Sequence, residues 1–112
     1  MKAFEINNIQ LKIQSPNLVV DEKLNDYIIV QIEKLGKKYG RIKKCDVVLK
    51  VEKSDKKKNC AVEVKLYVPG QILFAGDKQE EFQVAAKMVF DDLSEQLSRF
   101  KEKINDKSAT VR

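Results

Sequence analysis

Ile9, Leu11 and Ile13 alternate with Gln10, Lys12 and Gln14, the period of a half-buried strand, and Pro16 ends it because proline cannot donate to a ladder. The preceding "AFEI" alternates as well, which predicts a strand that begins sooner, beyond a bulge at Asn7-Asn8. After Asp21, placed as an N-cap, apolar residues recur at helical spacing: Leu24, Tyr27/Ile28, Ile32, Leu35 and Tyr39. Lysines fill the last turn of that helix, and Gly40 suits a left-handed C′ position. Gly36, inside it, weakens the helix by about 1 kcal/mol relative to alanine.

Alternation returns in "CDVVLKVEK" and "CAVEVKLYV", separated by the polar "SDKKKN", which predicts a β-hairpin. Pro69-Gly70 then turns the chain into a last short strand, "QILFAG". Asp77 and Glu80 form a D-x-x-E capping signature before a long helix with apolar Phe82, Ala85/Ala86, Val89, Leu93, Leu97, Phe100 and Ile104. The order is therefore βαβββα: an α+β, two-layer sandwich with a four-stranded mixed sheet and two parallel helices on one face. Residues 1–8 are expected as a lead, 9–105 as one domain, and 106–112 as a flexible tail. Lys12, Asp46, Lys50, Glu52, Glu63, Lys65 and Tyr67 fall on the open face of the sheet.

Composition narrows the function. The 112 residues contain no histidine and only two cysteines, so a Ser-His-Asp or Cys-His mechanism is excluded and no zinc site or disulfide framework is expected. Cys45 and Cys60 fall about 25 Å apart in the predicted hairpin and read as inert core thiols. No cofactor, metal, small-molecule substrate or catalytic residue is expected. The N-terminus lacks an apolar signal region and no stretch is long enough to span a membrane, which sets the expectation of a cytoplasmic protein.

Charge gives the positive lead. Net charge is +5 and the pI is near 9.2. "KLGKKYGRIKK", Lys34 to Lys44, holds six basic residues in eleven positions and no acidic one. A right-handed strand–helix–strand crossover makes strands one, two and four parallel, so both helices end at the same end of the molecule. Lys34, Lys37, Lys38, Arg41, Lys43 and Lys44 then meet Arg99, Lys101, Lys103 and Lys107 there, while Lys56 to Lys58 lie at the opposite end. Such a one-sided surface suits phosphate binding, and the excess of lysine over arginine favours backbone neutralisation over base reading. For each lysine singly, dipole compensation and solubility remain sufficient reasons; Lys56 to Lys58 suit a solvated loop, and Tyr39 and Phe100 suit burial better than base stacking.

The chain resembles the ribosome hibernation-promoting factors, the short ribosome-associated inhibitors of bacteria, in a form like that of the Bacteroidetes, over roughly Ile9 to Ile104. "KLGKKYGRI" is similar to the family's K-L-x-K-x-[FY]-x-R-I, and "VVLKVEK" to its second strand. "VEVKLYVPGQILFA" resembles its hairpin and fourth strand, and "LSEQLSRFKEKI" its L-x-x-Q-L-x-K-x-K-x-K helix end. The resemblance implies a βαβββα fold laid out like double-stranded RNA-binding domains. It also implies a monomer off the ribosome that binds the small subunit and its rRNA over the decoding region and blocks mRNA and tRNA. Contacts would come from Lys34, Lys37, Lys38, Arg41, Lys43, Lys44, Arg99, Lys101 and Lys103.

Asp91, Asp92 and Glu95 stand where the family often has basic residues, and Gly36 and Gly40 replace larger polar ones. Long members carry a further C-terminal domain that pairs ribosomes, which this chain is expected to lack. Competing readings are a protein-interaction module acting on a regulator such as a sigma factor, through the open sheet face around Lys50, Lys65 and Tyr67, and a general double-stranded RNA binder.

Overall fold

The computed structural model describes residues 2–6, 8–16, 20–53 and 58–110, with side chains for 5–6, 8–16, 20–53 and 59–104. Lys56, Lys57 and the side chains of Lys58 and Lys107 lie outside the described residues. The chain runs β1 (Lys2–Ile6), β2 (Ile9–Gln14), α1 (Glu22–Lys38), β3 (Lys44–Lys53), β4 (Lys58–Val68), β5 (Gln71–Gln79) and α2 (Phe82–Thr110). The sheet has five strands in the order β1-β2-β3-β4-β5, not the expected four.

The additional strand comes from the "AFEI" alternation. Instead of continuing β2 through a bulge, it folds back antiparallel, with Ile6 opposite Ile9. Asn8, at φ 67°, supplies the left-handed residue that so short a connection needs, and asparagine tolerates it. The rest of the topology is as the crossover argument requires: β2 pairs parallel with β3, and β3, β4 and β5 follow antiparallel.

Register carries the apolar alternation across the sheet in rows. Leu11, Cys45, Leu66 and Leu73 oppose one another on the inner face, as do Ile13, Val47, Val64 and Ala75, and all are buried. Both helices cover this face. Leu24, Ile28, Ile32 and Leu35 of α1 and Ala85, Ala86, Val89, Phe90, Leu93, Leu97 and Phe100 of α2 complete the core. Each large side chain so buried contributes about 1.5–3 kcal/mol. Phe90 belongs to the core although the spacing did not single it out, and Ile104 is exposed.

Two local expectations are corrected and a third gains a reason. Asp77 does not cap α2: the β4–β5 ladder runs on to Cys60 opposite Gln79, so Asp77 lies within β5 and accepts from Gln79 Nε2 at 2.9 Å. A continuing ladder satisfies more backbone groups than one capping bond would. Gly40 is not a left-handed C′ residue; α1 ends at Tyr39, which is extended (φ −147°) and donates its N–H to Leu35 O at 3.0 Å. Gly36 has a packing role, because a Cβ there would stand 3.0 Å from Ile9 Cδ1. The missing side chain lets the end of α1 settle onto β2. Other signals are as read: Asp21 caps α1, accepting from Lys23 N at 3.3 Å, and Gly70, at φ +84°, makes the two-residue turn into β5. The α2 backbone stays helical to Thr110, past residue 105.

Both cysteines are free and buried. Cys45 opposes Leu66 and Cys60 opposes Val51, so about 20 Å of strand separates them. Burial first, and the Asp46 carboxylate second, push the Cys45 thiol up to about 12.

Gly36→Val is expected to cost about 1–3 kcal/mol through overpacking against Ile9, whereas Gly40→Ala, with open space around it, gains about 0.4–1 kcal/mol. Urea denaturation of both variants checks the contrast. Above pH 9 the unfolded chain loses the Cys45 proton while the folded chain keeps it to about 12, so stability falls with rising pH across that window. The fall is expected to be shallower in Cys45→Ala, measured as stability against pH.

Candidate nucleic-acid interface

The cationic end is built where α1 stops and β3 starts. Lys34 and Lys37 are exposed on the last turns of α1, Arg41 and Lys43 are exposed on the connection, and Lys44 opens β3. Lys43 continues the sheet beyond the strand ends, donating N–H to Tyr67 O at 3.0 Å and accepting from Gln10 N at 3.1 Å. The connection is therefore anchored on both sides by strands, and its basic side chains project from a fixed backbone.

The two helices run parallel. Asp91 raises the Tyr27 hydroxyl pKa, second to burial, near the start of the helix pair. Further along, Tyr39 meets Phe100 edge-to-face with ring centroids 5.6 Å apart. Between them lies a pair of crossed bonds. Lys38 Nζ donates to the Ser94 backbone O at 3.0 Å and to Ser94 Oγ at 2.9 Å. Lys101 Nζ donates to the Lys38 backbone O at 2.7 Å. The last carbonyls of a helix lack intrahelical partners and carry partial negative charge, so an ammonium from the neighbouring helix is a favourable cap.

This arrangement divides the nine basic residues named from the sequence. Lys38 and Lys101 hold the helices to each other. Arg99 and Lys103 share the same end but lie two residues either side of Lys101, about 200° around the helix, on the side of α2 turned from α1. Arg99 forms an ion pair with Glu95 one turn back. Lys44 stands 3.9 Å from Asp46 Oδ2 and 5.2 Å from the Tyr67 ring centroid. Among the described residues, Lys34, Lys37, Arg41, Lys43 and Lys103 have no carboxylate within ion-pair distance. Asp91, Asp92 and Glu95 are exposed along α2, before its basic end. Ser94 was not among the residues read from the sequence; no local pattern marks it, since its role depends on the helix–helix register.

No group of three or more metal-ligating side chains occurs among the described residues, and no described helix is long and apolar enough to cross a membrane.

Fold and site together define a two-layer α+β domain with a cationic end at which Lys34, Lys37, Arg41 and Lys43 have no carboxylate partner among the described residues. The chain belongs to the family described as Sigma 54 modulation protein / S30EA ribosomal protein, whose pattern matches residues 11–105. It is 30% identical to the Ribosome hibernation promoting factor of Pseudomonas putida over 85% of this chain and 89% of that protein. Against the factor of the same name from Azotobacter vinelandii it is 32% identical, over 85% of each. For that of Escherichia coli K12 the identity is 29%, over 86% of this chain and 97% of the relative. Among solved structures, the fold is similar to a ribosomal subunit interface protein from Coxiella burnetii, with a TM-score of 0.72 at 13% identity, covering 82% and 97% of the two chains. It is also similar to the N-terminal domain of Thermus thermophilus Protein Y, with a TM-score of 0.66 at 22% identity, covering 80% and 94%.

Replacing Lys38 with Met keeps the aliphatic stem and removes two charge-assisted hydrogen bonds, and is expected to cost about 1.5–3 kcal/mol in urea denaturation. Exposed Lys37→Met is expected to stay within about 0.5 kcal/mol of the parent.

Proposed function

We propose that this protein is a ribosome hibernation factor. It binds the small ribosomal subunit near the decoding region, blocks mRNA and tRNA binding, and so stops translation under stress or in stationary phase. The family membership and the hibernation factors among its relatives support the ribosome as partner. The observation that carries the interface is the cluster of Lys34, Lys37, Arg41 and Lys43 around the shared helix end, without paired carboxylates among the described residues.

The binding unit is the domain from 9 to 105, working in the cytoplasm as a monomer when off the ribosome. Its mechanism is occlusion, with no bond made or broken. Cations carried on a backbone fixed by β3 and α1 need no backbone ordering when rRNA phosphates displace their counterions, and only their side chains lose freedom. Lys103 and Arg99, the latter paired with Glu95, add positive charge on the far side of α2, and Lys38, Lys44 and Lys101 contribute to the field of the cationic end while holding protein partners. The acidic run Asp91, Asp92 and Glu95 repels phosphate, which turns the middle of α2 away from rRNA and leaves the helix ends to make contact.

Co-sedimentation with ribosomes over a salt series tests this reading. Binding is expected at low salt, weakening as salt rises, and the combined variant Lys37→Gln, Arg41→Gln and Lys43→Gln is expected to lower the slope of log affinity against log salt by about one per lost phosphate contact. Failure to co-migrate at low salt, or a slope that the triple variant leaves unchanged, counts against the interface.

A further inference from the structure

The open face of the sheet carries a feature that folding does not need. On β5, Leu73 and Ala75 point into the core, while the alternating Ile72 and Phe74 are 53% and 51% exposed. Ile72 opposes Tyr67 and Phe74 opposes Lys65, so Tyr67 and Phe74 are diagonal neighbours about 7–8 Å apart on the same face. The Tyr67 ring is held in place. The Tyr67 hydroxyl donates to Asp46 Oδ2 at 3.1 Å, and Lys44 Nζ stands over the ring. The Phe74 ring leans along its strand over Gly76, its Cζ 3.5 Å from where a Cβ would be. A shallow hollow of about 400 Å³ opens beside it, lined by Ala61, Glu63, Phe74, Gly76, Asp77 and Lys78.

Charge on this face is uneven. Lys44, Lys50 and Lys78 lie 3.9, 3.6 and 2.6 Å from carboxylate oxygens of Asp46, Glu63 and Glu52. Lys12 and Lys65 have no such partner among the described residues, and both stand in the row that ends on Phe74. Asp46, between them, has one oxygen on the Tyr67 hydroxyl and the other shielded from solvent, and its carboxylate offsets part of the charge of the two lysines. Glu5 stands at the opposite margin, on β1. The patch also adjoins the cationic end directly, through the bond from Lys43 N–H to Tyr67 O.

We infer that this face stacks unpaired nucleobases of the RNA whose phosphates the cationic end holds: Phe74 and Tyr67 are the platforms, and Lys12 and Lys65 meet the backbone. The inference rests on the ribosome reading and adds the class of RNA involved, single-stranded rather than duplex. A sheet face with aromatics on neighbouring strands offers each base a flat apolar surface, and flanking ammonium groups neutralise its phosphates. Addition of a protein strand at the β5 edge is disfavoured, because Gln96 Nε2 of α2 already donates to the edge carbonyl of Phe74 at 2.8 Å. A protein docking on the face would leave Lys12 and Lys65 uncompensated unless it brought carboxylates.

Fluorescence anisotropy with a labelled oligoadenylate and an abasic ribose-phosphate oligomer of equal length, at low salt, tests this. The wild type is expected to bind the base-bearing oligomer about tenfold or more tighter. Phe74→Leu, apolar but without a ring, is expected to erase most of that preference, and Phe74→Trp to keep it, both with unchanged salt dependence and unchanged urea midpoint. Equal affinity for the two oligomers, no measurable binding to either, or identical behaviour of Phe74→Leu and Phe74→Trp overturns the inference. So does a photo-crosslinker at Ile72 that labels protein instead of RNA in the ribosome complex. Loss of ribosome binding in Lys37→Gln/Arg41→Gln with a neutral Phe74→Leu would refute stacking alone; intact ribosome binding in the doubly substituted chain would refute the cationic interface beneath it.

Discussion

The end of α1 and the middle of α2, some sixty residues apart in the chain, are held together by lysine ammonium groups on backbone carbonyls, and the placement of the cationic end depends on that seam. Bringing so many cations to one end raises electrostatic energy, and water screens only part of the repulsion between close neighbours. The seam offsets this locally. Lys101 satisfies a terminal carbonyl of α1, where it meets partial negative charge, and Lys38 donates to the mid-helix Ser94 carbonyl and to the Ser94 hydroxyl. Edge-to-face packing of Tyr39 on Phe100 supplies the apolar floor. What remains outside the seam can present its charge to solvent from a backbone that no longer moves.

The same end is also where the sheet contributes. Parallel pairing of β2 with β3 forces α1 to return over the sheet, so its last turn and the start of β3 must be adjacent. Gly36 lets that last turn approach Ile9 closely, and Lys43 extends the ladder past its formal end. The cationic connection is thus clamped between a helix and three strands. At the opposite end the helices begin, with acidic residues such as Glu22 near the dipole's positive pole.

The two surfaces proposed for RNA binding use rigid structure differently. On the helix end, function needs charge density and fixed positions, and glycine, lysine and arginine provide them with little apolar area. On the sheet face, Phe74 and Tyr67 provide flat area and the charges around them are mostly paired. Phosphate recognition and base stacking, as proposed above, make separate demands on side chains, and the ββαβββα order places the cationic end and the aromatic face side by side through the single connection from Arg41 to Lys43.

Alternation and helical spacing determined most of the architecture: the crossover, the hairpin, the inner and outer faces and the buried positions of both helices follow from where apolar residues stand, because burial of a face is the dominant local constraint. The first strand's reversal, the length of β5 and the true ends of the helices were not legible, since each depends on whether a ladder partner is present to outcompete a local turn or cap. The basic residues of the end were legible as a group, because topology alone brings parallel helix termini together. Their division into Lys38 and Lys101, which join the helices, and Lys34, Lys37, Arg41 and Lys43, which face outward, was settled only by tertiary structure. A lysine's role is set by which carbonyl, carboxylate or solvent lies within about 3 Å of its ammonium group, and no local pattern encodes a neighbour from another helix.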